Sequence, residues 1–219
     1  TSALQQEAAR KLGLSVTQTM RIAQKLYESG LITYMRTDST NLSQLAINSA
    51  KQTICTKFGE EYSKVRAYKT KSKGAQEAHE AIRPTYLAND TIEGTPQEKK
   101  LYNLIWKRTI ASQMADAKLE KTTITIGSNF FAEKFVSQGE QVVFDGFLKL
   151  YLESRDEEDT EQENQLLPVL NTGETMERIE ISATERFTQK PARYSEASLV
   201  KKLEELGIGR PSTYAPTIS

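Results

Sequence analysis

Tyr34, Arg36 and Asp38 stand at alternate positions in the stretch Gly30-Leu31-Ile32-Thr33-Tyr34-Met35-Arg36-Thr37-Asp38-Ser39. If that stretch is extended, all three side chains leave one face, because strand side chains repeat every two residues. A phenol beside a guanidinium and a carboxylate suits phosphoryl transfer. The phenol, with an ordinary pKa of about 10, is a poor nucleophile until a cation favours its ionised form. Arg36 supplies that cation and can fork two hydrogen bonds onto phosphate oxygens, while Asp38 can orient a neighbour. The same spacing also suits an ordinary edge strand with alternating side chains. Elsewhere the chemistry is sparse. With one histidine, His79, and one cysteine, Cys55, the chain can form neither an internal disulfide nor a Cys/His zinc site. Cys55 lies in a helical apolar pattern, which predicts a buried, inert thiol.

The elements that must hold the Tyr34 segment read as helices. Leu4, Ala8 and Leu12 form a helical stripe closed by Gly13. Ser15 can cap a second helix whose Met20, Ala23 and Tyr27 share a face, ended by Gly30. Leu31 to Met35 then has strand character, and helix, turn, helix, strand is the outline of a winged helix-turn-helix. A third helix follows Ser43, with Ala46, Ala50, Ile54 and Phe58 at helical spacing and Gly59 behind them. A basic loop (Lys64, Arg66, Lys69, Lys71, Lys73) leads into a short helix over 77–82. Pro84 stops that helix, and Arg83 reads as its end cap. Thr95, Pro96 and Glu98 make a capping box for a helix through Leu101, Ile105 and Trp106 to about Ala117.

From Lys118 the grammar changes. Residues 121–126, 130–136, 141–152 and 175–181 are β-rich and separated by turn residues. Helix returns after Ser195, with Leu199, Leu203 and Leu206 on one face and Gly207 as cap, and Ser212 is placed to cap another. The expected fold is mixed α+β and mainly helical: a winged-helix, CAP-like helical domain over 1–117, an antiparallel β arch or hinge over 118–188 with an acidic loop at 155–163, and the start of a second helical domain over 189–219.

Composition narrows the function classes. Apolar residues make up 37% and charged residues 26%, a globular balance. No apolar run approaches the roughly 20 residues that cross a bilayer, and no basic-then-apolar leader opens the chain. The 29 basic and 29 acidic residues cancel overall but not locally. Residues 1–83 hold 13 basic against 7 acidic, net +6; residues 84–183 hold 10 against 18, net −8; residues 184–219 hold 6 against 4, net +2. Such a distribution would hold a polyanion at the two ends and exclude it from the middle. The start at Thr1 without Met and the stop at Ser219 read as a piece of a longer protein.

Three stretches in order carry a resemblance: residues 30–41, GLITYMRTDSTN; residues 76–84, QEAHEAIRP; and residues 192–200 with 207–214, ARYSEASLV and GIGRPSTY. Together they resemble the type IA DNA topoisomerases, essentially from end to end, with the β region and acidic loop least distinctive. Tyr194 stands where that family often has Phe. The resemblance implies an ATP-independent enzyme that breaks and rejoins single strands. Tyr34 matches its nucleophile, which becomes linked to a 5′-phosphate and releases a 3′-hydroxyl, so that another strand can pass before resealing relaxes negative supercoils. Arg36 matches the arginine at the scissile phosphate, and His79 a nearby histidine that Asp38 contacts, a pair able to change protonation near neutral pH. Arg210, Ser212 and Thr213 match phosphate-contacting positions of the single-strand groove, the last two at an expected helix start.

The implied partners are single-stranded and negatively supercoiled DNA and a Toprim domain of the same polypeptide, with no membrane. The implied cofactor is Mg²⁺ held by that Toprim domain, and none in this segment, which would be inactive alone. A cytoplasmic, nucleoid-associated monomer is expected. The contrasting reading is a winged-helix transcription regulator using 15–29 as recognition helix in duplex DNA.

Overall fold

Ser15, Ser43, Thr95 and Ser195 each accept a hydrogen bond from the amide three residues on, and a helix begins at each. Gln18, Glu98 and Ser198 return the bond to the cap residue's own amide, so three of these starts are reciprocal capping boxes. A computed structural model describes residues 1–68, 80–152, 167–188 and 190–218. Its helices are α1 (Ser2–Leu12), α2 (Val16–Glu28), α3 (Gln44–Lys57), α4 (Pro96–Ser112), α5 (Glu196–Glu205) and α6 (Tyr214–Ile218); its strands are β1 (Lys118–Ile126) and β2 (Phe135–Phe144). The fold is therefore mixed α+β and mainly helical. Gly13, at φ 64°, closes α1: its amide donates to the Ala9 carbonyl and the Leu14 amide to the Ala8 carbonyl.

Contacts divide the chain into two units, residues 1–117 with 145–157 and 194–219, and residues 118–144 with 158–193. In the first, α4 lies at the centre. Its Leu101, Tyr102, Ile105, Trp106 and Ile110 are buried, and the Trp106 indole N–H donates to the Leu87 carbonyl at 2.8 Å. The Tyr102 hydroxyl donates to the Asn89 carbonyl at 2.8 Å, and burial pushes its pKa up to about 12. The inward face of α2 is Val16, Thr19, Met20, Ile22, Ala23 and Leu26. Tyr27 shares that face, but near the C-terminal end of α2 it is 42% exposed. Cys55 is half-buried rather than enclosed.

Gly146 shows why the chain re-enters this unit where it does. It sits at φ 50°, and a Cβ there would come within 2.6 Å of the Ala115 and Asp116 backbone. Only a residue without a side chain lets Phe147 donate to the Ala115 carbonyl at 2.9 Å. Helix α5 docks through two carboxylates. Glu204 accepts from the Ser2 hydroxyl at 2.6 Å, and Glu196 accepts from the Val16 amide at 2.8 Å, capping the start of α2. Its buried residues are Ala197 and Val200, the latter packed with Val16 and Tyr214, whereas Leu206 is exposed. The leucine stripe expected at 199, 203 and 206 is thus only the flank of the buried face. Small residues let α5 approach α1 more closely than leucines would.

The second unit is an antiparallel ribbon. Lys121 pairs with Glu140 and Thr122 with Gly139, and the ladder runs from Ile126 opposite Phe135 to Lys118 opposite Phe144. Gly139, expected in a turn, sits inside β2, so the stretches 130–136 and 141–152 contribute to one strand that ends at Phe144. After it, 146–149 forms a 3₁₀ turn rather than more strand. Residues 175–181 have strand-like composition but pair with no ladder among the described residues. A β-propensity is expressed only where an edge is available to receive it.

Several expectations meet a simpler geometry. Helix α4 stops at Ser112, where Gln113 turns to bond the backbone of Arg66 in both directions. Residues 80–82 are not helical, since their backbone bonds sideways to the Tyr34 segment; 77–79 lie outside the described residues, as does the acidic loop 155–163.

Candidate active site

Residues 31–35 form no strand. A single antiparallel bridge joins Ile32 to Pro84, flanked by Thr33 donating to the Arg83 carbonyl and Thr85 to the Leu31 carbonyl, each at 2.9 Å. The Thr33 hydroxyl adds a bond to the Ala81 carbonyl at 2.7 Å, and Ala81 donates to Asn41 at 2.8 Å. Two motif segments about fifty residues apart in sequence thus lie side by side.

From Tyr34 onward the segment is extended without a partner strand, and side-chain hydroxyls supply the missing bonds. Thr37 accepts from the Ser39 amide at 3.0 Å, and Ser39 from the Asn41 amide at 3.2 Å. Thr1 accepts from the Thr37 amide at 3.0 Å and donates to the Met35 carbonyl at 2.7 Å. Met35, Thr37 and Ser39 are therefore buried, while Tyr34, Arg36 and Thr40 are exposed and Asp38 is half-buried. The period-two alternation puts Tyr34, Arg36 and Asp38 on the open side.

Tyr34 is 36% exposed, and its ring meets the Tyr27 ring edge-on, centroids 5.3 Å apart at 70°. Such pairs restrict ring orientation beyond what burial alone does. The position of Tyr27 seven residues before Tyr34, across a helix end, carries no periodic signal that flags the contact.

Glu80 anchors the second motif. It takes Arg83 through both carboxylate oxygens at 2.8 Å and accepts from the Ser43 amide at 2.7 Å. Partial burial pushes its pKa up, but the Arg83 and Ser43 bonds outweigh that and hold the carboxyl below the usual range. Arg83, expected to cap a helix, instead braces the Pro84 carbonyl at 2.8 Å. The i,i+3 spacing of Glu80 and Arg83 was the available clue. His79 lies outside the described residues, as do Lys69, Lys71 and Lys73. Of the basic loop, Lys64 and Arg66 both reach Asp116.

A cleft of about 520 Å³ then collects the motifs: residues 38–40 of the first, Ala81 and Ile82 of the second, and Arg210, Pro211 and Tyr214 of the third. Glu204 and Arg108 line it too, although neither stands in a local pattern that marks it. Burial raises the Tyr214 phenol's pKa, Glu204 adds to that, Arg210 opposes it and Asp38 adds again, so these charges act within one space. Ser212 and Thr213 are exposed at the start of α6. Thr213, not Ser212, is the residue before its first turn, and its hydroxyl accepts from the Arg210 amide at 2.8 Å. Tyr34 and Arg36 are not among the cleft's lining residues.

The DNA topoisomerase family model matches residues 1–219. The chain belongs to that family. It is 50% identical to DNA topoisomerase 1 of Zymomonas mobilis, over all of this chain and 18% of that protein. Against DNA topoisomerase 1 of Rickettsia bellii the identity is 52%, over all of this chain and 29% of that protein. The solved full-length topoisomerase I of Thermotoga maritima superposes with a TM-score of 0.74 at 39% identity, over all of this chain and 36% of that one. These relatives place the chain with the bacterial, type IA topoisomerases, and it spans under a third of the length of these two curated relatives. Topoisomerase membership leaves the duplex-reading regulator without support. No helix among the described residues is long and apolar enough to cross a membrane.

Proposed function

We propose that this chain is the nucleophile-bearing part of a type IA DNA topoisomerase, and that its cleft receives single-stranded DNA. The observation that carries the reading is the convergence of three motif segments on one cleft, next to an extended segment that turns Tyr34 and Arg36 outward. In the reaction, the Tyr34 hydroxyl oxygen attacks a backbone phosphorus. The bond from phosphorus to the 3′ oxygen breaks, the released oxygen takes up a proton as a 3′-hydroxyl, and a 5′-phosphotyrosyl ester remains. That ester keeps the energy of the broken bond, so the reverse attack reseals the strand without ATP. Arg36 meets the charge that develops on the phosphoryl oxygens. Asp38 orients His79, and Arg210, Ser212 and Thr213 hold flanking phosphates.

Function divides along the chain: 1–117 carries the nucleophile on a winged-helix-like frame, 118–188 serves as arch or hinge, and 189–219 opens the single-strand-binding region. The donors present do not fit Mg²⁺. Asp38 and Glu204 share the cleft, but no group of three Asp, Glu, His or Cys side chains that could hold an ion is found among the described residues. No step is routed through the metal here, and the reading keeps Mg²⁺ on the Toprim domain of the same polypeptide. The partners are single-stranded and negatively supercoiled DNA, the working unit a monomer, the setting the nucleoid.

The test uses the intact protein with Mg²⁺ and end-labelled single-stranded DNA, denatured and resolved on a gel. A covalent adduct on the 5′-phosphate side is expected with wild type and none with Tyr34→Phe. An adduct that survives Tyr34→Phe overturns the assignment of the nucleophile.

A further inference from the structure

We propose that Arg108 is a further phosphate-binding residue of the cleft, held in position by a buried Glu7–Tyr151 pair. The inference rests on the cleft being the path of single-stranded DNA. Arg108 lies on α4, in the cleft wall, and none of the three motifs contains it. Its Nη1 donates to the Tyr151 hydroxyl at 2.9 Å, and that hydroxyl donates in turn to the Glu7 carboxylate. Glu7 and Tyr151 are 2% and 8% exposed, so the support beneath Arg108 is enclosed. Burial, and then the Glu7 bond, hold the Tyr151 phenol well above its usual pKa. It therefore stays protonated, a donor toward Glu7 and an acceptor for Arg108.

Arg10 and Lys11 approach the Glu7 carboxylate at 3.5 and 3.3 Å, and Arg108 reaches it through Tyr151, so three cations gather on one carboxylate. Lys11 and Arg108 also flank the Tyr151 ring, 3.7 and 5.5 Å from its centroid. Arg108 and Arg210 line the cleft beside Asp38 and Glu204, so a phosphate entering it would meet guanidinium groups from two separate elements. Burial lowers the pKa of the Thr1 amino group, Glu204 and Asp38 raise it and Arg108 lowers it, so these charges act on one point of the cleft. A guanidinium carries five donors in a fixed fork that matches phosphate oxygens. Arg210 stands in the same cleft. Two arginines from separate elements would hold two points of one backbone, which fixes the strand's direction as well as its affinity.

The test measures binding of a short single-stranded oligonucleotide to the intact protein without divalent metal, across a salt series. Wild type is compared with Arg108→Gln, Arg108→Lys, Tyr151→Phe and Arg210→Gln. Loss of one phosphate contact on a single strand lowers the slope of log affinity against log salt by about 0.7. Arg108→Gln should show that loss with roughly tenfold weaker binding, as should Arg210→Gln. Arg108→Lys should keep the slope, and Tyr151→Phe should weaken binding with the slope unchanged, as expected of a positioning residue. If Arg210→Gln loses affinity while Arg108→Gln keeps both affinity and slope, Arg108 is structural and the inference is wrong. If neither variant changes binding, the cleft is not the DNA path and the wider reading fails with it. A measurement on wild type guards against misfolded variants: phenylglyoxal labelling with and without the oligonucleotide, mapped by mass spectrometry. Protection of Arg108 by DNA supports the proposal, and equal labelling while Arg210 is protected overturns it.

Discussion

The Tyr34 segment and the β ribbon invert the usual link between regularity and burial. The ribbon's ladder runs over nine residue pairs with one bulge beside Lys118, yet nearly all its side chains are exposed, Val142 at 48% and Val143 at 64% among them. Residues 33–41 have no regular structure, yet Met35 and Thr37 are 2% and 3% exposed. What orders the segment is the hydroxyls of Thr37 and Ser39, which pair its own amides, and that of Thr33, which ties it to the Ala81 carbonyl, while its odd-numbered side chains pack inward. A partner strand would supply the same bonds, but it would cover the edge beside Tyr34 and Arg36. Side-chain bonding satisfies the buried amides and leaves that edge open.

The difference can be broken by substitution, starting where the helical wall carries most. Trp106→Ala removes a buried indole and its bond to Leu87, and should cost about 3–5 kcal/mol in chemical denaturation. Glu80→Gln comes next, at about 2 kcal/mol, because it loosens a two-pronged charged bond and the Ser43 amide together. Its pH dependence has a definite sign. The folded-state pKa of Glu80 lies below its unfolded value, so its contribution is fully present above that unfolded value, about 4.3. It is lost as pH falls through the folded-state pKa. The gap between wild type and Glu80→Gln should close in that acid range; a gap constant from pH 7 to pH 3 would show that Glu80 acts by packing alone.

Thr37→Val keeps the shape but leaves the Ser39 amide without its acceptor, at about 1–2 kcal/mol. Adduct formation by the intact protein should slow by more than the loss of stability accounts for, since Tyr34 and Arg36 share that stretch of backbone. If Thr37→Val matched wild type in both respects, hydroxyl bonding would not be what orders the segment. The smallest effect belongs to the ribbon: Val142→Ala, on an exposed side chain, should change stability by less than about 0.5 kcal/mol. A loss of 2 kcal/mol or more would mean that this face is covered in the intact protein.

The sequence by itself determined the features that operate within four residues. Ser15 with Gln18 and Thr95 with Glu98 set helix starts because a cap and its third neighbour meet whatever the rest of the chain does. The alternation of Tyr34, Arg36 and Asp38 was legible for the same reason, and the ordered motifs located the family. The ribbon was legible as β structure but not in its register, because Gly139 reads equally as a turn or as a strand residue opposite Thr122. Only the tertiary structure decided that Glu80 would also accept the Ser43 amide at the entry to α3, that Tyr27 would meet Tyr34, and that Ala197 and Val200 would be buried ahead of three leucines. It also decided that Arg108, Glu204 and Arg210 would share one cleft. The Glu80–Ser43 bond and the shared cleft join residues tens of positions apart or more, and their energies depend on which faces of separate elements meet, a choice made by packing the whole unit.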